Sequence, residues 1–185
     1  MIEDVINDAK ARMQKAVEAT RREFGSLRTG RASPTLLEQI RVDYYNTPTP
    51  LIALASTTVP EPRLLVVKPY DKSTMKDIER AILKSDLGLV PSSDGTVIRI
   101  PIPPLTEERR KELVKIARKH GEEGRVAIRN IRREAKEMLE QLEEDGEISE
   151  DDSRRAQERL QHLTDETIAS LDRLLETKEH EIMEV

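Results

Sequence analysis

One stretch of the chain carries basic side chains at spacings that place them on one side of a helix. They are Arg125, Arg129, Arg132 and Lys136, with Arg133 beside them, and we call these five residues the cationic stripe. Arg118 lies one heptad before Arg125 and continues the same side of the helix. At about 100° per residue, the first four stripe residues lie roughly 100–160° around the helix from Ile131, a predicted core residue. Arginine donates two parallel hydrogen bonds to phosphate, so a line of arginines can follow a nucleic-acid backbone. The spacing therefore predicts an exposed surface that binds RNA or another polyanion.

A solvated helix face whose cations pair with acidic neighbours would carry similar residues. Acidic residues are few at the spacing that allows such pairs, with Glu122 before the stripe and Glu140 after it. The charge distribution also favours a polyanion partner, although the whole chain has a net charge of −5. Residues 109–136 carry eleven basic against four acidic side chains, whereas residues 144–185 carry five against fourteen. Local fields decide what a surface attracts, so we expect RNA at the first segment and not at the second.

Residues that could catalyse a reaction or hold a metal are badly spaced. His120 lies on a predicted core seam, while His162 and His180 lack metal-ligand spacing. Gly121–Gly124 has neither the following Lys-Ser/Thr nor the preceding strand of a phosphate loop. The acidic run 143–152 lacks the ligand spacing of a calcium loop, and the chain contains no cysteine. We therefore expect no catalytic residue, no metal, no cofactor and no enzymatic activity.

The positions of the prolines indicate which segments can form the long helices that carry the cationic stripe. All ten prolines lie between Pro34 and Pro104, so long helices are possible on both sides of this segment. Apolar residues repeat every three or four positions from Ile2 to about Leu27, and again over about 38 residues after Thr106, on a predicted core seam that includes Ile131, Ala135 and Met138. A capping box beginning at Ser149 predicts a third long helix. Three helices, each with one apolar seam, predict a three-helix bundle. Because the three seams can be buried against one another within one chain, we expect a monomer.

The proline-containing middle of the chain has the pattern of a small β-containing domain. We predict strands at 40–45, 51–59, 64–67 and 96–100, a helix at 73–85, and turns at 46–50 and 92–95. The predicted fold class is α+β, an elongated three-helix bundle with an inserted β/α/β domain. The predicted boundaries are 1–29 with 106–185 for the bundle and 30–105 for the insertion.

Two chain crossings join the predicted domains, and such a connection commonly acts as a hinge. The candidate hinge residues are Thr29, Gly30, Arg31, Pro103 and Pro104. A plain linker is the alternative. No apolar run approaches the roughly 20 residues that cross a bilayer, and the acidic N-terminus has no signal-peptide core. We expect a cytoplasmic protein without a membrane partner.

Several segments together resemble the bacterial ribosome recycling factor family. The signature-like stretches are Leu27–Pro34 (LRTGRASP) and Val126–Ala135 (VAIRNIRREA), and shorter matches follow in the same order at Asp43–Tyr45, Lys84–Gly88, Leu105–Lys111 and Ile148–Asp151. The chain differs from the family at Asn46, where glycine is usual, and at Val90, where asparagine is common. Asparagine tolerates left-handed backbone, so we expect the turn at Asn46 to be preserved.

The resemblance implies an L-shaped, hinged, two-domain protein with the outline of tRNA. It implies binding to the 70S ribosome after termination, with the helical domain on the large subunit and the inserted domain in contact with elongation factor G. GTP hydrolysis by that factor would then split the ribosome into subunits and release mRNA and tRNA. The resemblance places rRNA contacts at Arg28, Arg110, Arg129, Arg132 and Arg133, and Arg31 at the hinge. A helical adaptor or chaperone cofactor with solvated charged faces is the alternative, and it would bind little RNA at any salt concentration.

Overall fold

The computed structural model describes residues 1–184, which form two compact units. Residues 1–27 and the chain from 108 onward form the helical unit, and residues 28–107 form the inserted unit. In chain order the elements are α1 (Ile2–Gly25), β1 (Arg41–Tyr44), β2 (Thr47–Pro50), α2 (Leu51–Leu54), β3 (Ala55–Glu61), β4 (Leu64–Pro69), α3 (Met75–Lys84), β5 (Ser92–Ser93), β6 (Ile98–Pro101), α4 (Glu107–Glu144) and α5 (Glu150–Met183). Long helices with small antiparallel sheets confirm the predicted α+β class.

The helical unit buries one apolar face from each of α1, α4 and α5 in a shared core. Large side chains that are almost completely buried in this core include Met13, Ile128, Leu139, Leu160 and Leu171. The Ser149 hydroxyl accepts a hydrogen bond from the Asp152 N–H and caps α5, as the capping box predicted. Helix α1 ends at Gly25, two residues before the predicted end.

The prediction of which residue at the end of the α4 seam is buried is wrong. The side chain of Met138, expected in the core, is 48% exposed, whereas that of Leu139 is 0% exposed. Both residues satisfy a helical repeat measured from Ala135, because steps of three and four residues both return to the same face. The position of the neighbouring helices selects the four-residue step. The apolar spacing therefore fixes the face approximately but not its final residue.

Two glycines let the long helices approach closely. A Cβ atom on Gly124 would lie 2.5 Å from Thr20 Oγ1 of α1 and 2.7 Å from Leu171 Cδ1 of α5, and one on Gly121 would lie 3.0 Å from Leu175 Cδ2. Real Cβ atoms do not approach neighbours closer than about 3 Å without a shift of the surrounding atoms. Gly124 is therefore the point at which α4 contacts both other helices without a side chain between them.

The inserted unit contains a four-stranded antiparallel sheet in the order β3-β4-β6-β5 and a separate β1-β2 hairpin. Helix α3 contributes Ile78 and Ile82 to a core that also contains Leu65, Val67 and Ile100 from β4 and β6. The strand residues alternate between buried and exposed positions along β6, which is the period of a half-buried sheet.

The structure corrects the prediction in the hairpin region. Thr47–Pro50, expected as a turn, is strand β2, which pairs with β1 in antiparallel register. Its prolines are tolerated because both strands of a two-stranded sheet are edges, where a missing N–H breaks few ladder bonds. Leu51–Leu54, expected as strand, is a single helical turn. The turn itself contains Tyr45 and Asn46 at φ 49° and 61°, so the prediction that asparagine preserves the left-handed turn is confirmed.

Candidate nucleic-acid interface

The cationic stripe lies on the middle of α4, and its exposure changes with the angle around the helix. Arg129 and Arg133, at roughly 160° and 200° from Ile131, are exposed. Arg132, Arg125 and Lys136, at roughly 100–140°, are only partly exposed, which corrects the prediction of a fully exposed stripe. Positions at these smaller angles lie nearer the core face of α4, which accounts for their partial burial.

Arg125 links α4 to α5. Its Nε and Nη2 atoms lie 2.7 and 2.6 Å from Asp172 Oδ1, and its Nη1 atom lies 3.0 Å from Glu122 Oε2. Partial burial disfavours the charged form of Arg125, but the hydrogen bonds that it donates to Asp172 and Glu122 outweigh this effect and raise the pKa of Arg125. With 23% of its side chain exposed, Arg125 holds two helices together and is poorly available to a ligand.

Two further cations of the stripe have weaker acidic partners. Arg129 Nη1 lies 3.4 Å from Glu122 Oε1, and Lys136 Nζ lies 3.8 Å from Glu140 Oε1. Three of the five stripe members are therefore paired, and their partners within α4 are Glu122 and Glu140, the two acids that the sequence spacing indicated. Glu122 lies three residues before Arg125, so spacing within α4 indicates it as a partner. Asp172 lies on α5, and spacing within α4 gives no information about a partner on another helix.

Arg132 and Arg133 are the unpaired cations of the stripe. Neither forms an ion pair or a side-chain hydrogen bond with any other residue in the range 1–184. Two consecutive arginines on one helix present up to ten N–H donors over a broad part of its exposed side. Anions with several oxygens, such as the phosphates of a nucleic-acid backbone, match such donors in charge and geometry.

Two arginines that the resemblance assigned to rRNA lie outside the stripe. Arg110, in the first turn of α4, is partly exposed, and its Nε atom is buried without a hydrogen-bond partner. Arg28 donates from Nη1 to the Leu87 carbonyl and from Nη2 to the Pro103 carbonyl, both at 3.2 Å. Arg28 therefore closes the inserted unit by joining its first residue to distant carbonyls. Its role as an RNA ligand stays a prediction.

The candidate hinge residues lie where the chain enters and leaves the inserted unit. Gly30 is buried at φ 81°, and a Cβ there would lie 3.3 Å from Leu105 Cγ, so a side chain would be strained in backbone and in space. Thr29 is partly exposed, whereas Arg31, Pro103 and Pro104 are exposed. Next to these residues, the Ala32 and Ile102 N–H groups donate to the carbonyls of Pro62 and Arg63. The hinge role itself stays a prediction.

Other kinds of site have little support in the part of the chain that the structure describes. Over residues 1–184, no three His, Cys, Asp or Glu side chains come close enough together to hold a metal ion. None of the helices in this range combines the length and the apolar character that a bilayer crossing requires. Within the helical unit, His120 Nε2 lies 3.7 Å from Glu23 Oε2, and His120 Nδ1 lies 3.6 Å from Glu123 Oε2.

Comparison with known proteins gives consistent results over the whole chain. A family profile described as "Ribosome recycling factor" matches residues 20–183. Ribosome-recycling factors from Geobacillus sp. (strain WCH70) and Halalkalibacterium halodurans are each 58% identical over 185 residues, with all of both chains covered.

Two solved structures have the same fold. The solution structure of a ribosome recycling factor has a TM-score of 0.81 at 48% identity and covers 100% of this chain and 98% of its own. The other describes models of the T. thermophilus ribosome recycling factor and the E. coli elongation factor G bound to the E. coli post-termination complex. It has a TM-score of 0.70 at 48% identity and covers 99% of each chain.

Proposed function

The chain belongs to the ribosome recycling factor family, and on that premise we propose that it recycles ribosomes after termination. It binds the 70S ribosome through rRNA of the large subunit and acts with elongation factor G. GTP hydrolysis by that factor drives separation of the subunits and release of mRNA and tRNA. The 48%-identical factor described together with elongation factor G on a post-termination complex supports this assignment.

The observation that carries the RNA-binding part of the proposal is the unpaired state of Arg132 and Arg133. Within residues 1–184 these guanidinium groups have no acidic partner, so phosphate can bind them without first displacing a carboxylate. Arg129 adds a third contact after its weak pair with Glu122 opens. Arg110 and Arg28, which precede the cationic stripe in the sequence, add further contacts, while Arg125 and Lys136 contribute mainly to the local positive potential.

The fold supports a mechanical role for the protein. Helix α4 has 38 residues, about 57 Å at 1.5 Å per residue, and packs against two other long helices. Packed helices deform little, so a force applied to one end is transmitted along the bundle. We propose that the connection at Thr29–Arg31 and Pro103–Pro104 is a hinge, and that elongation factor G pushes on the inserted unit.

In this role the protein is a non-enzymatic translation factor. The only covalent step, GTP hydrolysis, belongs to elongation factor G, so the factor needs no cofactor of its own. Its site of action is the cytoplasm, where the ribosomes are. A monomer suffices, because the buried faces of α1, α4 and α5 are satisfied within one chain.

The test is equilibrium binding to purified large ribosomal subunits over a range of salt concentrations. Arg132→Ala/Arg133→Ala is compared with Arg155→Ala/Arg173→Ala, a control that removes the same charge from exposed positions of α5. Each lost phosphate contact reduces the slope of log K against log salt by about 0.7–0.9, so the stripe variant has a slope shallower by about 1.6 and the control keeps that of the wild type. No binding by the folded wild-type chain at low salt would support the adaptor alternative.

A further inference from the structure

Glu122 occupies the side of the cationic stripe where a phosphate would bind. Its Oε2 atom lies 3.0 Å from Arg125 Nη1, and its Oε1 atom lies 3.4 Å from Arg129 Nη1. One carboxylate thus bridges two guanidinium groups one turn apart on α4. The carboxylate side chain is 55% exposed, and that of Arg129 is 50% exposed, so both are accessible to an incoming anion.

The two guanidinium groups differ in how firmly they are held. Arg125 keeps both of its bonds to Asp172 when Glu122 moves away, because those bonds use Nε and Nη2. For Arg129, in contrast, Glu122 is the single acidic partner among residues 1–184. An exposed ion pair with a long contact is weak. Displacing Glu122 therefore frees Arg129 and leaves the link between α4 and α5 intact.

A phosphate and a carboxylate compete for the same N–H donors of arginine. Both are oxygen anions that guanidinium binds through its fork, and one donor group cannot serve both fully. A phosphate that takes the Arg129 Nη1 donor must therefore displace Glu122, and a phosphate bound through the other N–H groups of Arg129 is repelled by the neighbouring carboxylate. The cost of this displacement lowers the affinity, and the return of Glu122 to Arg129 accompanies release of the RNA.

We propose that Glu122 is an intramolecular competitor of RNA phosphate at Arg129, which weakens the ribosome complex and speeds its dissociation. The inference rests on the proposed function, since it concerns the same RNA-binding site. A factor that acts in repeated rounds must leave the large subunit each time. A resident carboxylate keeps the interface reversible without reducing the number of arginines that steer the encounter.

The test compares Glu122→Gln with Glu137→Gln in binding to purified large subunits. Both changes remove one negative charge from α4, and Glu137 is exposed, has no ion pair within residues 1–184 and lies one turn from Arg133. An exposed pair contributes little, so Glu122→Gln should bind about two- to fivefold more tightly, mainly through slower dissociation. Glu137→Gln should bind as the wild type does. Equal gains for both variants would show a general charge effect and overturn the inference.

An Arg129→Ala background separates competition at Arg129 from any other effect of Glu122. With Arg129 removed, Glu122 keeps its contact with Arg125 but has no Arg129 donor to compete for, and adding Glu122→Gln should leave the dissociation rate unchanged. Persistent tightening in that background would contradict the proposal. All variants are checked by far-ultraviolet circular dichroism, and Glu122 is exposed, so substitution should not unfold α4.

The outcomes also distinguish this inference from the function on which it depends. Wild-type binding with the affinity of Glu122→Gln unchanged would overturn the inference alone. Failure of the folded wild-type chain to bind large subunits would overturn both.

Discussion

Gly124→Ala tests whether close contact of α4 with both neighbouring helices holds the bundle together. The added Cβ would lie 2.5 Å from Thr20 Oγ1 and 2.7 Å from Leu171 Cδ1. Neither neighbour moves easily. The Thr20 hydroxyl donates to the Ala16 carbonyl at 3.1 Å, and Leu171 is completely buried. The new methyl group must therefore push the helices apart or displace core side chains.

Two opposing effects determine how much Gly124→Ala changes the free energy of unfolding. Replacing glycine by alanine within a helix stabilises it by about 1 kcal/mol. Overpacking a well-filled core costs about 1–3 kcal/mol, and two simultaneous close contacts with buried groups favour the upper half of that range. The free energy of unfolding of the helical unit should therefore fall by about 1–2 kcal/mol. Gly25→Ala is the matched control, because a Cβ there meets no atom within 4 Å and should stabilise α1 by about 0.5 kcal/mol.

Urea unfolding followed by far-ultraviolet circular dichroism measures this difference. The helical signal reports mainly on α1, α4 and α5, whereas the three tyrosines, Tyr44, Tyr45 and Tyr70, all report on the inserted unit. Gly124→Ala should lower the urea midpoint of the helical signal and leave that of tyrosine fluorescence unchanged. Equal or greater stability of Gly124→Ala would refute the assignment of Gly124 as the point of closest helix approach.

Three other substitutions have definite expected outcomes. Burial lowers the pKa of Lys178 despite an opposing effect of its partner Glu181. Lys178→Met should therefore stabilise the helical unit by about 1 kcal/mol at neutral pH. In urea unfolding this gain should disappear above about pH 10, where the wild-type lysine is also neutral. Two backbone N–H groups and a guanidinium hold the pKa of Asp94 far below its usual range, which stabilises the fold above the unfolded pKa of about 3.9. Asp94→Asn should therefore unfold at lower urea at pH 7, and the deficit should shrink as the pH falls below about 4. Arg28→Met removes two hydrogen bonds to carbonyls and should destabilise the inserted unit by about 1–2 kcal/mol in tyrosine-detected unfolding.

The fold class and the long helices could be predicted because both depend on local signals. Proline-free flanks, seams of three- and four-residue spacing and the capping box at Ser149 act within one helix, and the structure confirms them. The hairpin could not be predicted, because Thr47–Pro50 resembles a turn unless the pairing strand is known. The choice of Leu139 over Met138 likewise depends on where the other helices lie.

In the candidate site, too, features set by local sequence could be predicted, and features that depend on the packing of other helices could not. The angular position of the stripe on α4 follows from its sequence spacing, and with it the greater exposure of Arg129 and Arg133. The clamp between Arg125 and Asp172 joins residues 47 positions apart, so only the packing of α5 on α4 reveals it. The sequence shows that Arg132 and Arg133 are consecutive cations, but only the structure shows that neither has an acidic partner within residues 1–184.

Light scattering of post-termination ribosomes tests the central claim most directly. Wild-type chain and the Arg132→Ala/Arg133→Ala variant are each mixed with ribosomes, elongation factor G and GTP. We expect a fall in scattering, as subunits separate, that requires all three components and is strongly reduced in the variant. No fall with the folded wild-type chain would contradict the recycling function, and an equal fall with the variant would contradict the placement of the RNA contacts on the cationic stripe.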